Sequence, residues 1–325
     1  MNYGAFVLRR FAAAVPMLVA VITVNFLLVR LAPGDPILMI IGEAAQYDEA
    51  FVAEVRARFG LDRPVWEQYL SYLGRAVQGD LGTSIYFDQQ PVVSVIAARL
   101  PQTLLLLALS YTFAVTAGVF LGARAARRPY SATDHAASII GLLGYSIPSF
   151  WLGMLLILVF SLHLGWLPVG GLMDVRSPSA GWAMVVDRAR HLVLPVIALG
   201  AFHLALITRL TRASMFEVLT LDFITTARSK GLREADVFRR HALRNALLPV
   251  VTTAGYTIGF LLAGSVLVET VFAYPGMGRL LHQALLARDY PLMLGILLVV
   301  SVTVVAANLL TDLLYARIDP RIRIR

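Results

Sequence analysis

LMLGILLVVSVTVVAANLLTDLL, residues 292–314, contains one acidic side chain and no basic one. A helix needs about 20 mostly apolar residues to cross the ~30 Å hydrocarbon core of a bilayer. This stretch meets that length with its charge confined to Asp312, near one end. Working back toward the N-terminus, comparable runs occupy residues 247–268, 192–207, 136–162, 103–123 and 11–29. The run at 192–207 is the weakest, because Pro195 and His203 interrupt it. Proline is tolerated in a span whose neighbours satisfy the freed carbonyl.

The composition outside these runs agrees. The chain has 325 residues, 58% hydrophobic and 15% charged, and its mean hydropathy is +0.73. Soluble domains are nearer 45–50% apolar and about 25% charged. The expected fold class is an all-α polytopic membrane protein with six transmembrane helices. There are no cysteines, which removes disulfides, thiolate metal sites and cysteine nucleophiles. Arg9 and Arg10 before the first run would also suit a secretory signal, but the run is longer than a signal core and no small-residue cleavage site follows.

Positive charge orients the spans. With both termini in the cytoplasm, 17 of the 28 Lys+Arg residues lie inside and 11 outside. Six of the outer ones fall in residues 30–99, a stretch too long to weigh under the rule. The net charge of +8 therefore reads as loop retention rather than nucleic-acid binding. Three regions follow: 1–30 with the first span, an extracytoplasmic region at 31–100, and a five-helix core at 101–325. Within the second, Phe51, Val52, Val55 and Phe59 share one helical face between Asp48 as N-cap and Gly60 as stop. That stretch is either a surface helix or a docking face.

Residues 208–250, TRLTRASMFEVLTLDFITTARSKGLREADVFRRHALRNALLPV, are the informative cytoplasmic segment. Asp222 can cap a short helix that ends where Gly231 supplies a positive φ. A second short helix starts near Glu234 and carries Val237, Phe238, Ala242 and Leu243 beside Arg239, Arg240 and Arg244. Pro249 marks the return to the membrane. Basic residues inside the cell anchor topology, yet about 40 residues is long for a plain connector. Apolar and basic residues mixed on one helix also suit docking to another protein.

TTARSKGL (225–232) followed by RHALRNALLPVVT (240–252) resembles the EAA loop of ABC-importer permeases, in the branch that carries dipeptides, oligopeptides, nickel and glutathione. The resemblance runs through the chain: RLAPGDP (30–36), LDRPVWEQYLSYL (61–73), GDLGTS (79–84), SIPSFWLG (146–153), LGWLPVGG (164–171), VFAYPGMGRLLHQALLARDYP (271–291) and YARIDPRIR (315–323). Two departures narrow the branch. The general signature opens on glutamate and alanines where this chain has Thr225, Thr226 and Ala227. Its later Ile-x-Leu-Pro reads His241, Ala242, Leu243, Arg244.

The resemblance implies a type I ABC importer permease fold in the inner (plasma) membrane, half of a pore, working with a second homologous permease, two ATP-binding subunits and an extracytoplasmic substrate-binding protein. It implies a coupling helix at about 222–245, within a loop at 213–248. Thr225, Thr226, Ala227, Lys230, Gly231, His241, Leu243, Arg244, Asn245 and Pro249 are the expected coupling residues. No catalytic residue, cofactor, metal or nucleic acid is expected.

Consistent with that division of labour, the sequence has no phosphate-binding Gly-x-x-x-x-Gly-Lys-Ser/Thr loop, no His-Glu-x-x-His and no Gly-x-Ser-x-Gly. Gly276 and Gly278 read as turn residues. Polar residues within spans are the default pathway candidates. Asn25 and Asn308 also suit helix bridging. His203 suits packing, and Glu269 and Asp312 sit near opposite membrane boundaries. In SIPS, Pro148 should break the helix and expose carbonyls. Tyr145, Ser146, Pro148, Ser149 and His203 are therefore the pathway candidates.

An ion-driven secondary transporter would favour paired mid-membrane ionisable groups and an inverted repeat, and neither is seen. An intramembrane protease would need catalytic groups meeting at one depth, and no span offers a set.

Overall fold

The computed structural model describes residues 3–31, 50, 53, 56, 57, 62–176 and 180–318. The amphipathic stretch expected at 48–60 lies almost wholly outside the described residues, as does the side chain of Asp312. The described residues are α-helical, with an isolated antiparallel bridge between Thr83 and Pro91. The helices are α1 (Tyr3–Leu31), α2 (Val65–Val77), α3 (Val92–Arg127), α4 (Ala132–Ser146), α5 (Ser149–Leu156) and α6 (Trp182–Leu219). A short α7 (Asp222–Ser229) and a one-turn α8 (Glu234–Asp236) precede α9 (Arg244–Val271), α10 (Met277–Leu286) and α11 (Tyr290–Ile318).

Among the described residues, four helices are long and apolar enough to cross a membrane: Val7–Leu31, Val92–Arg127, Trp182–Leu219 and Tyr290–Leu309. The third sequence run forms α4 and α5, whose axes meet at 111° across Ile147 and Pro148. Neither half alone, α4 or α5 with the π-helical Ile157–His163 that continues it, reaches the ~20 residues of a crossing. Pro148 thus does more than kink a span; it separates two helices. The fifth run lies in α9, which has 28 residues.

Contacts divide the chain into two compact units, residues 1–103 with 276–325, and residues 104–275. In the first, α1 and α11 pack together, with Val29, Val92, Ile96, Met277, Leu280 and Leu292 in one buried cluster. Asn25 Nδ2 donates to Ser301 Oγ at 3.2 Å, the helix bridge its position suggested. Asp289, fully buried, joins two distant motifs. One carboxylate oxygen accepts from Ser84 Oγ (2.5 Å) and Tyr86 N (3.0 Å), and the other accepts from Leu292 N (3.1 Å) at the start of α11. The GDLGTS loop is thereby pinned to the start of α11. Gly276 sits at the N-cap of α10, and Gly278 is a buried residue inside it rather than a turn residue.

In the second unit α6 is the axis. Its run looked weakest in the sequence, yet Pro195 does not interrupt it, and 67% of its most apolar window is buried, the highest of the four. The apolar pattern was diluted because this helix meets protein on most sides and selects small and polar residues there. A Cβ on Gly122 of α3 would come within 2.5 Å of Thr208 O, and one on Gly118 within 2.9 Å of Ile207. From α4, a Cβ on Gly144 would reach Ala201 O at 2.8 Å. Close backbone approach through small residues four apart is how membrane helices gain dispersion contact where lipid offers no hydrophobic drive. Glu269, expected near water, is fully buried instead. Burial, aided by the charge of Glu269, raises the pKa of the neighbouring Tyr274 hydroxyl to about 12, against the opposing charge of Arg188.

Gly122→Leu should prise α3 from α6 and cost about 1–3 kcal/mol, the usual range for overpacking. The check is a lowered apparent unfolding temperature in detergent. A value unchanged from the parent chain would show that the contact is not limiting.

Candidate functional site

The segment between α6 and α9 is an ordered hairpin. The sequence placed Asp222 as N-cap of its first helix; the N-cap is Leu221, and Asp222 is the first helical residue. There its charge still favours the positive helix end. Thr226 Oγ1 donates to Asp222 O at 3.0 Å. Lys230 occupies the C-cap, and Gly231 follows at φ +77°, a conformation open to glycine at little steric cost. The expected second short helix is not separate. From Glu234 the chain runs without a break through α8, a π-helical turn (Val237–Leu243) and α9, with Pro249 inside α9. π-Turns of this kind occur often at functional sites.

Ile224 and Ala227 point inward, into a cluster with Met215, Val237, Ala242, Ala246 and Ala126 from the end of α3. Leu243 borders that cluster. Thr225, Thr226, Lys230 and Gly231 are exposed, as are Arg244, Asn245 and Pro249, and His241 is half-buried. Two exposed apolar side chains, Phe223 and Leu232, stand among them. The hairpin is also clamped by charge. Arg228 Nη2 meets Glu234 Oε1 at 2.8 Å and its Nε meets Oε2 at 3.2 Å, linking α7 to α8 across Gly231. The Arg228 hydrogen bonds hold the Glu234 carboxyl below its ordinary range, with help from the charge of Arg127. Arg127 itself lies 5.9 Å from the Phe238 ring centre, within cation–π range. Asn245 Nδ2 donates to His241 O at 2.7 Å.

About two turns before the end of α6, Arg212 forms a two-pronged pair with Asp134, with Nη2 to Oδ2 at 2.9 Å. Tyr130 N donates to the same carboxylate at 2.9 Å. This bond ties the start of α4 to the end of α6. Seventy-eight positions separate the two residues, so no local pattern exposes the pair.

The pathway candidates divide. Tyr145, Ser146 and Pro148 are exposed, Ser149 is half-buried, and His203 is buried. Tyr145 stacks on Phe202, with ring centres 5.1 Å apart, and the His203 ring meets Phe202 edge-on at 5.3 Å. The sequence reading counted Arg209 only among the inner-side charges and did not name Phe202; the Arg209 guanidinium lies 4.5 Å over the Tyr145 ring. An arginine in a run of polar loop residues carries no signal until the facing helix is known. Among the described residues no cluster of His, Asp or Glu could hold a metal ion.

Comparison with known proteins gives this geometry a family. Residues 114–324 match the model described as "Binding-protein-dependent transport system inner membrane component", and residues 4–107 match the N-terminal model of the same systems. The chain belongs to this family. Among permeases it is 41% identical to the oligopeptide transport system permease protein AppB of Bacillus subtilis, over 98% of this chain and 99% of that one. It is also 41% identical to the dipeptide transport system permease protein DppB of Escherichia coli K12, over 98% of each chain. A fold likeness extends to the inward-facing MetNI methionine ABC transporter, with TM-score 0.54 and 20% identity over 69% of this chain and 96% of that one. The chain is thus a multi-pass inner-membrane permease subunit of an ABC importer, with the all-α permease fold.

Ile224→Asp places a charge in the dry cluster under α7, and amide exchange across 222–246 should then become fast. Glu234→Gln should cost under about 1 kcal/mol, because the pair is largely exposed. A carboxyl held below its ordinary value contributes above that value and loses its contribution as pH falls through the folded one. The small difference between parent and Glu234→Gln should therefore persist from pH 8 to 5 and fade only below about 4.5, the ordinary value. A difference that vanished near neutrality would contradict the pairing.

Proposed function

We propose that this chain and a second homologous permease form the translocation pathway of an ATP-driven importer for peptides or a related small solute. An external binding protein delivers the solute. ATP is hydrolysed by two partner subunits on the cytoplasmic side, and this chain performs no chemistry. The excess of Lys+Arg in the loops on its side of the membrane supports a cytoplasmic α7 hairpin. The peptide permeases among its relatives support the solute class.

The observation that carries the proposal is the two-sided construction of α7. Its inner face, Ile224 and Ala227, is packed against the end of α6 and the start of α9. Its outer face offers Phe223, Thr225, Thr226 and Lys230 to a partner. A force applied to the outer face reaches two long helices without crossing a flexible joint. Such a device transmits motion only if the partner's states hold it differently.

The natural absence of cysteine makes the test direct. Thr226→Cys should crosslink to a cysteine-bearing ATP-binding subunit in the assembled complex, whereas Ala227→Cys, facing inward, should not. Uptake into proteoliposomes should require internal ATP and not a proton or sodium gradient. Crosslinking from Ala227 but not Thr226, or gradient-driven uptake without ATP, would contradict the proposal.

A further inference from the structure

We propose that Arg209, held over the Tyr145 ring beside Phe202, is a subsite for the carboxylate of the transported solute. This inference rests on the permease reading above and adds the solute chemistry that the pathway recognises.

Helices α4 and α6 run antiparallel. Asp134 pairs with Arg212, a Cβ on Gly141 would touch the Arg209 side chain at 3.6 Å, and Gly144 abuts Ala201. Eleven residues, about 16 Å of helix, separate Asp134 from Tyr145. A helical side chain leans toward the N-terminus of its own helix. For α6 that direction is away from the cytoplasm. Arg209 follows it: its stem crosses Gly141 and its guanidinium reaches Tyr145. A lipid-facing arginine at the inner end of a span would reach the other way, toward the cytoplasmic water. Arg209 instead reaches deeper.

Nothing among the described residues neutralises it there. Arg212, one turn below, has Asp134; Arg209 has the Tyr145 ring at 4.5 Å and no carboxylate within ion-pair distance. The platform beneath is open, with Tyr145 50% and Phe202 39% exposed, and the helix breaks two residues later at Ile147. An uncompensated guanidinium at membrane depth needs a water-filled space beside it. A fixed cation over aromatic faces in such a space binds a carboxylate through its planar donor fork while the rings accept apolar side-chain surface. A peptide with a free C-terminus presents both features.

Leu142, one turn before Tyr145 and 62% exposed, provides the reporter in a chain without cysteine. In the assembled complex, Leu142→Cys should react faster with an anionic sulfonatoethyl methanethiosulfonate than with the cationic trimethylammonioethyl analogue, each rate normalised to a free thiol. Arg209→Gln should cut that anion preference about tenfold, the low end of charge-focusing effects, and Arg209→Lys should retain most of it. Tyr145→Leu, a second variant that removes the platform, should weaken it. With the binding protein present, a free-acid peptide should slow the anionic labelling more than its C-terminal amide does.

A preference indifferent to Arg209→Gln, or no labelling by either reagent, would overturn the inference. So would protection that follows the anionic lipid content of the nanodisc rather than the peptide, because the ligand would then be a lipid phosphate. Labelling does not depend on transport, so a failure of ATP-driven uptake would be scored separately.

Discussion

Gly118 and Gly122 on α3 and Gly144 on α4 allow two helices to reach α6 until backbone nearly touches backbone. The rest of the second unit depends on that approach. With no side chain between them, the helices exchange van der Waals contact that lipid cannot match by position or density. Polar residues of α6, such as Thr208, can then lie buried with the hydroxyl returned to the backbone, here to Leu204 O at 2.7 Å. The Arg212–Asp134 pair locks the hairpin end of the α4–α6 contact. Separated from its partner, either charge would be costly to bury.

From this axis the α7 hairpin follows as a structural consequence. α6 carries Met215, Val218 and Leu219 past the last glycine contact, and these residues form the floor on which Ile224 and Ala227 rest. The chain leaves the hairpin through a continuous helical path into α9. The two joints that could flex, at Thr220 and at Gly231, are bridged: the first by the apolar cluster, the second by the Arg228–Glu234 pair. Each exposed contact is weak. The buried cluster gives the hairpin its stiffness, and the charges set its register.

Much of this was legible in the sequence. Apolar run length exposed the four helices long enough to cross a membrane, Gly231 marked the end of α7, and Pro148 marked the break between α4 and α5. What escaped has physical causes. The burial of α6 was hidden because Pro195 and His203 read as interruptions of a span, whereas a helix surrounded by protein can hold both. Asp222 looked like an N-cap because aspartate is favoured both there and one position later. The continuity of α8 with α9 was masked by a π-turn, whose widened spacing disrupts the 3.6-residue period. Arg209 and Phe202 gained significance only when the antiparallel register of α4 and α6 placed Tyr145 between them.

The central claim is that the hairpin and α6 move as one body. It is tested most directly by spin labels at Thr226→Cys on α7 and Val193→Cys on α6, with their separation measured by pulsed electron paramagnetic resonance in the full complex. The distance distribution should be the same, in centre and width, in the nucleotide-free and ATP-trapped states. A shift or broadening between those states would show that the hairpin swings on its joints, and the rigid-transmission account would fail.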